Sequence, residues 1–147
     1  METTPFLITH EGEYEVKGAF IYGVKTENTI LYSIGLDDLF VMHAGALNRP
    51  LTEREIDSLG RVDILLLPVG GGAVLDAKRA IEVIQQLEPR VVIPMQYKIP
   101  LLKGEYAPLE IFLKEYGVSE CEKIDKYKIS KKDLPTEETE VVCLSPL

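Results

Sequence analysis

Short apolar runs alternate with polar residues over the first third of the chain, a pattern typical of β-strands. Phe6-Leu7-Ile8 and Ala19-Phe20-Ile21-Tyr22 are β-rich pieces separated by polar residues, and they predict two strands near the start. Residues 29–34 and 39–42 flank Gly35-Leu36-Asp37-Asp38, a connection whose length and composition predict an antiparallel hairpin. We therefore expect this part of the chain to be all β.

From residue 52 onward the apolar pattern changes between helical and extended periods. Thr52 and Glu55 have the spacing of a capping box, so a short helix is predicted to run to about Gly60. Residues 63–69 form a nearly continuous apolar run, which is typical of a strand covered on both faces. This strand is predicted to lie at the centre of the sheet.

Two longer helices are predicted in the second half of the chain. Asp76 is placed to cap a helix whose apolar residues recur every three or four positions and which ends at Pro89. Pro108 opens a third helix, and Gly117 stops it. The other apolar runs predict one buried strand and two edge strands: residues 91–95, 127–130 and 141–144. With no internal repeat or flexible linker, the pattern predicts one α/β domain over residues 1–147.

Charge argues against nucleic acid as a partner. Sixteen basic and twenty-four acidic residues give a net charge of −8, and basic residues form no continuous stripe. One stretch is rich in lysine, and its acidic neighbours favour a solvated strand edge over a binding patch: Lys126, Lys128, Lys131 and Lys132, beside Asp125 and Asp133.

The sequence also predicts a reduced protein of the cytoplasm. Residues 1–5 show no basic region leading into an apolar run, and no segment approaches the roughly 18 apolar residues of a membrane span. Cys121 and Cys143 are too far apart in sequence for a CxxC redox or zinc pair. We therefore expect neither export nor membrane insertion, and two free thiols.

Few residues have the spacing of known catalytic or binding motifs. Gly70-Gly71-Gly72 follows a strand and precedes a helix, but it lacks the GK[ST] ending of a P-loop, so a tight turn is favoured and anion binding stays open. His10 and His43 are too few to make a usual three-ligand zinc site. His10 is interpreted as a surface residue. His43 is interpreted as a hydrogen-bonded structural histidine, and the alternative is that its side chain reaches a cleft.

Four segments together resemble a known family, the predicted zinc-dependent hydrolases of the metallo-β-lactamase superfamily. They are Gly12-Glu13-Tyr14-Glu15-Val16-Lys17-Gly18, His43-Ala44-Gly45-Ala46-Leu47, the run from Val62 to Gly71, and Ile93-Pro94-Met95-Gln96-Tyr97-Lys98. The resemblance covers about residues 5–115. It implies half of a metallo-β-lactamase-like αββα sandwich, with a mixed β-sheet and helices on one face.

The resemblance also implies that metal ligands have been lost. The family carries an HxHxDH segment in its N-terminal half, and this chain starts after that place. Ala46 stands where the family has a ligand Asp, and Gln96 stands where it has a ligand His; an amide is a poor zinc ligand compared with imidazole. No catalytic or metal-binding residue is therefore predicted, only a remnant cleft: His43, Ala46, Gly70, Gly71, Gln96 and Tyr97.

Two functions from different classes follow from this resemblance. The favoured hypothesis is a non-catalytic module for binding or assembly, without a cofactor, which forms a homodimer through the exposed sheet face of the half-sandwich. Its small-molecule ligand is unknown. The alternative is a zinc-dependent hydrolase that is completed by a separate N-terminal-half chain or by a missing upstream segment. A nucleotide-binding domain that uses the glycine turn is a weaker third hypothesis.

Overall fold

A computed structural model describes residues 4–146 and places one mixed sheet at the centre of the protein. The strands are β1 (Gly12–Val16), β2 (Ala19–Lys25), β3 (Ile30–Leu36), β4 (Leu39–His43), β5 (Ile64–Pro68), β6 (Val91–Met95), β7 (Lys123–Ile124), β8 (Glu140–Val141) and β9 (Cys143–Leu144). The sheet has the strand order β1-β2-β3-β4-β5-β6-β8, antiparallel from β1 to β4 and parallel from there to β8, while β7 and β9 form a separate parallel pair. The helices are α1 (Glu53–Leu59), α2 (Ala77–Leu87) and α3 (Leu109–Tyr116). The predicted α/β class with a mixed sheet is confirmed.

The predicted hairpin is confirmed as β3 and β4, joined by a tight turn. Asp37 and Asp38 have φ values of 51° and 62°, and Asp tolerates this left-handed region better than most residues. The strand predicted at residues 6–8 is wrong. Phe6 and Leu7 are 66% and 79% exposed, and the first strand begins at Gly12 instead. The physical reason is pairing: the alternating residues 12–16 supply the edge partner of β2, and residues 6–8 extend beyond it.

All three helices begin and end where the sequence signals place them. Thr52 and Glu55 form the predicted capping box at α1, and the Asp76 side chain accepts a hydrogen bond from the Arg79 N–H at α2. Gly117 ends α3 in the left-handed conformation with φ of 92°.

The three helices pack on one face of the sheet, which we call the helix face. Residues from every helix join one buried cluster with alternate residues of the central strands, among them Leu59, Ala80, Val83, Phe112, Leu65 and Val92. Period-two alternation then directs the intervening residues, such as Ile64, Val91 and Ile93, to the opposite or second face.

The half-sandwich was expected to leave one sheet face exposed. The second face is exposed only in part. Residues 119–146, which we call the C-terminal strap, cover β5 and β6 on this face with their residues 124–134 and then return to the sheet as β8, the strand beside β6. The residues predicted as an edge strand at 127–130 are not a strand; Tyr127 and Ile129 instead pack on Ile64, Val91 and Ile93. An extended segment that buries every second side chain on a sheet without pairing with it has the same alternation of apolar and polar residues as a strand.

The fold pairs the two cysteines, so the expected free thiols are wrong. Cys121 and Cys143 form a disulfide bond, with Cα atoms 6.2 Å apart, because the strap returns to place β9 beside β7. This pairing depends on the fold and is invisible in sequence spacing. No helix within the described range is long and apolar enough to cross a membrane. The predicted absence of an export signal concerns residues 1–5, of which 1–3 lie outside the described residues.

Candidate functional site

Three neighbouring strands end at the same edge of the sheet, and the candidate residues follow them. His43 of β4 lies in register with Leu66 of β5, and Pro68 lies in register with Met95 of β6. The segment from His43 to Ala46, the glycine turn from Gly70 and the residue Gln96 therefore extend from one edge. In open α/β sheets this carboxyl edge is where ligands bind.

The turn that carries Ala46 is held by the loop between β2 and β3. The Ala46 N–H donates to the Thr29 hydroxyl at 3.1 Å, and the Asn28 side-chain amide donates to the Ala46 carbonyl at 2.6 Å. A Cβ at Gly45 would collide with the same Thr29 hydroxyl. Thr29 and Asn28 thus position this part of the edge, and sequence reasoning missed both because they lie 17 and 18 residues away.

Gly70 and Gln96 are in direct contact. A Cβ at Gly70 would collide with the Gln96 carbonyl oxygen and would lie 3.0 Å from the ring of Tyr106. The Ala107 N–H donates to the Gly70 carbonyl at 2.8 Å, and the Lys98 N–H donates to the Ala107 carbonyl at 2.9 Å. The segment around residues 104–107 therefore closes over the turn, and glycine is required at position 70.

The glycine turn uses its own polar groups internally. The Gly71 N–H donates to the Leu75 carbonyl at 2.8 Å, and the Val74 N–H donates back to the Gly71 carbonyl at 3.3 Å. The N-terminus of α2 is already capped by the Asp76 carboxylate, whose charge would repel a phosphate. This geometry matches the favoured interpretation of a tight strand-to-helix turn and offers no support for a phosphate cradle.

Gln96 combines two unfavourable features. Its φ is 51°, in the left-handed region that glutamine seldom adopts. Its side-chain oxygen Oε1 is buried and finds no hydrogen-bond partner among residues 4–146. Strained backbone and unpaired buried polar atoms cluster at functional sites, because they persist only where the surroundings hold them in place.

His43 ends β4 with its ring at the surface of the second face. Its Nδ1 accepts a hydrogen bond from the Gly45 N–H at 3.0 Å, which leaves Nε2 as the free ring nitrogen. Although one edge of the ring reaches solvent, the strand environment removes water from the rest, and this desolvation holds the pKa of His43 below its usual value. His43 is therefore neutral at pH 7.

Tyr97 belongs to the core on the helix face. It is 8% exposed, and its hydroxyl donates to the Leu144 carbonyl at 3.3 Å. Burial, reinforced by the negative charge of Glu110, raises the pKa of Tyr97. The Lys123 ammonium lies 5.6 Å from the ring centroid. Tyr97 thus anchors the C-terminal strap, whereas its neighbour Gln96 lies at the edge beside the glycine turn.

The residues at this edge do not fit a zinc ion. Structural and catalytic zinc sites use at least three imidazole, thiolate or carboxylate ligands. Ala46 supplies no ligand atom, Gln96 supplies only an amide oxygen, and His43 supplies a single free nitrogen. Across residues 4–146, no three His, Cys, Asp or Glu side chains are grouped so that they hold a metal.

Comparison with known proteins places the chain in a family. Residues 1–96 match the family model of the beta-lactamase superfamily domain, and the chain belongs to this family. A UPF0173 metal-dependent hydrolase from Pyrococcus horikoshii is 32% identical over 99 residues, which are 58% of this chain and 44% of that protein. A second one, from Nanoarchaeum equitans, is 36% identical over 64 residues, 43% of this chain and 30% of that protein. The chain therefore spans less than half the length of these curated relatives.

Solved structures show the same fold. A Thermotoga maritima protein of the metallo-beta-lactamase superfamily superimposes with a TM-score of 0.84 at 34% identity, over 94% of this chain and 71% of that one. The metallo hydrolase Igni18 from Ignicoccus hospitalis gives a TM-score of 0.54 at 24% identity, over 75% of this chain and 52% of that one, and supports the fold alone. The predicted resemblance to metallo-β-lactamase-type hydrolases is confirmed.

Proposed function

We propose that this chain is a non-catalytic member of the family that acts as a binding or assembly module, without a zinc site of its own. One observation carries the proposal: Ala46 and Gln96 stand at the two recognisable ligand positions on an otherwise intact edge. The backbone contacts that position both residues remain, including the Asn28 hydrogen bond to Ala46 and the close approach of Gly70 to Gln96. The scaffold is retained while the ligand atoms are replaced.

The second face supplies the surface for assembly. Tyr14, Ile21, Ile34, Val41 and Ile64 are consecutive partners across β1 to β5, so their side chains form one apolar row. The first four are half-buried, and only Ile64 lies fully beneath the C-terminal strap. The open part of the row is the surface that we propose for a homodimer, in which two copies pack sheet to sheet.

The mass in solution tests this dimer. Wild-type protein is expected to be a dimer by light scattering, and Ile34→Glu is expected to be a monomer, because the change places two carboxylates in the apolar row of a symmetric interface. Ile111→Glu is the matched control, since Ile111 lies on the outer side of α3 and is 52% exposed. A monomeric wild-type protein, or a dimer that survives Ile34→Glu, would contradict the proposed interface.

A second candidate is a metal-dependent hydrolase completed by another polypeptide. It is favoured by the names of the relatives and by their greater length, since this chain covers 44% of the P. horikoshii protein. Hydrolysis of activated ester and phosphodiester substrates with added zinc separates the two candidates. The assay compares the chain alone with the chain mixed with the part of the P. horikoshii protein that it does not match. Activity of the mixture only would support completion, activity of the chain alone would overturn the non-catalytic proposal, and background rates in both would support it.

We propose that the module is cytoplasmic and has no nucleic acid or membrane partner; in the reducing cytoplasm the Cys121–Cys143 disulfide is then a redox-sensitive bond and not a permanent one. A net charge of −8 disfavours polyanion binding. The small-molecule ligand is not identified by this chemistry. The buried Oε1 of Gln96 has no hydrogen-bond donor among residues 4–146, so a ligand that gained access to it would present an N–H or O–H group.

A further inference from the structure

The C-terminal strap contains little regular structure of its own. Its elements are three strands of two residues each and a 3-10 helix at Lys131–Asp133. It is held to the sheet by apolar contacts on the second face and by a few backbone bonds, such as Val142 N–H to the Val92 carbonyl at 2.9 Å. A segment held by so few backbone bonds opens at low free-energy cost unless a covalent link holds it.

The Cys121–Cys143 disulfide is that covalent link, and its two ends differ in accessibility. It closes a 22-residue separation within the strap. Cys143 is 1% exposed, whereas Cys121 is only partly buried.

The paired strands β7 and β9 contact Tyr97, the neighbour of Gln96. Cys143 is in register with Lys123, and the next pair is Ile124 with Leu144. Leu144 accepts the Tyr97 hydrogen bond, and Lys123 lies over the Tyr97 ring. Cys143 is therefore the chain neighbour of Leu144 and the register partner of Lys123, the two contacts of Tyr97.

We propose that Cys121 and Cys143 form a redox-sensitive latch that fixes the C-terminal strap over β5 and β6 and against Tyr97. Oxidation locks the strap. Reduction releases it and enlarges the exposed part of the second face. This inference does not depend on whether the chain is catalytic, because it concerns the covering of the sheet and not the chemistry of the edge.

The latch closes by thiol–disulfide exchange with a low-molecular-weight disulfide as oxidant. The partly exposed Cys121 thiolate attacks one sulfur of that disulfide, so a mixed disulfide forms and one thiolate leaves. The buried Cys143, as thiolate, then attacks Sγ of Cys121, forms the protein disulfide and releases the second thiol. Two electrons pass to the oxidant, and the two thiol protons end on the two small thiols released.

Single variants test the order of attack. Reduced Cys143→Ser is expected to accumulate a mixed disulfide when it is treated with oxidised glutathione, because Cys121 is accessible and lacks its resolving partner. Cys121→Ser is expected to be modified more slowly, because Cys143 is buried while the strap is docked and reacts only when the strap opens. Intact-mass spectrometry measures both. Faster modification of Cys121→Ser than of Cys143→Ser would overturn the proposed order and the accessibility on which it rests.

Hydrogen exchange tests the latch itself in the full chain. Reduction of wild-type protein is expected to speed exchange of the amides at 140–146 by roughly 10- to 100-fold, because loop closure no longer opposes opening of the strap. Exchange in the peptide 30–36 should stay unchanged, and the Cys121→Ser/Cys143→Ser double variant should exchange at the reduced wild-type rate with or without reductant. Equal exchange at 140–146 in oxidised and reduced protein, or thiols that remain free in oxidised glutathione, would overturn the latch.

Discussion

The same substitution at two glutamines is expected to change stability in opposite directions. Gln96→Leu removes a buried Oε1 that has no partner within the described chain while keeping a side chain of similar size. An unsatisfied buried polar atom costs about 1–3 kcal/mol, and because Gln96 is only partly buried the gain on removal is expected near the lower end, about 1 kcal/mol. The left-handed backbone at position 96 strains glutamine and leucine alike, so its cost cancels in the difference between wild type and Gln96→Leu.

Gln86 is the matched control within the same chain. Its side-chain oxygen accepts from the Leu51 N–H at 2.9 Å, and its side-chain N–H donates to the Leu51 carbonyl at 2.8 Å. Leu51 is 5% exposed, so Gln86→Leu leaves two backbone groups without partners in a buried position and is expected to destabilise the protein by about 2–3 kcal/mol. Leu and Gln have similar helix propensity, so the helix itself contributes little to the difference.

Urea unfolding followed by circular dichroism measures both changes. The free energy of unfolding should rise for Gln96→Leu and fall for Gln86→Leu, with melting temperatures that move by about 2–4 °C per kcal/mol. A loss of more than about 1 kcal/mol in Gln96→Leu would refute the reasoning, because it would show that Oε1 has a partner in solution.

Three further outcomes follow from local contacts. Burial lowers the pKa of His43, so below pH 6.5 the folded protein binds fewer protons than the unfolded chain. As the pH is lowered from 6.5, the free energy of unfolding should therefore fall until the pH passes the folded pKa. His43→Gln should flatten this part of the curve of unfolding free energy against pH. Gly70→Ala should cost about 2–3 kcal/mol because its Cβ collides with backbone, whereas Gly117→Ala, in the left-handed region with open space around it, should cost about 1 kcal/mol in urea unfolding. Thr52→Ala should cost about 1 kcal/mol in the same assay through loss of the capping box.

Elements with strong local signals were predictable from sequence. The run at 63–69 became β5, the hairpin turn fell at Asp37 and Asp38, and Thr52 capped α1. In each case the residues that carry the signal are also the residues that form the element. Local propensity and tertiary packing therefore agree.

The C-terminal strap was not predictable in the same way. The alternation at Tyr127 and Ile129 is real, but it arises from packing on the second face and not from pairing in a sheet. The Cys121–Cys143 pair likewise depends on where the chain returns. Such features are set by long-range contacts that leave no local pattern.

The candidate site contains residues with a local sequence signal and residues whose role depends on long-range contacts. Ala46 and Gln96 were visible because they replace ligands in recognisable segments. The residues that position them, Thr29 and Asn28, are ordinary polar residues of a distant loop. The unpaired Oε1 of Gln96 is a property of three-dimensional surroundings and has no sequence signature.

Zinc stoichiometry tests the central claim most directly. Protein loaded with zinc, dialysed without chelator and measured by plasma mass spectrometry is expected to retain far less than one zinc per chain, because Ala46 and Gln96 offer no imidazole or carboxylate. The zinc retained by the wild-type chain is compared with that retained by an Ala46→Asp/Gln96→His variant, in which a carboxylate and an imidazole are restored at the two positions. One zinc bound per wild-type chain after dialysis would contradict the account.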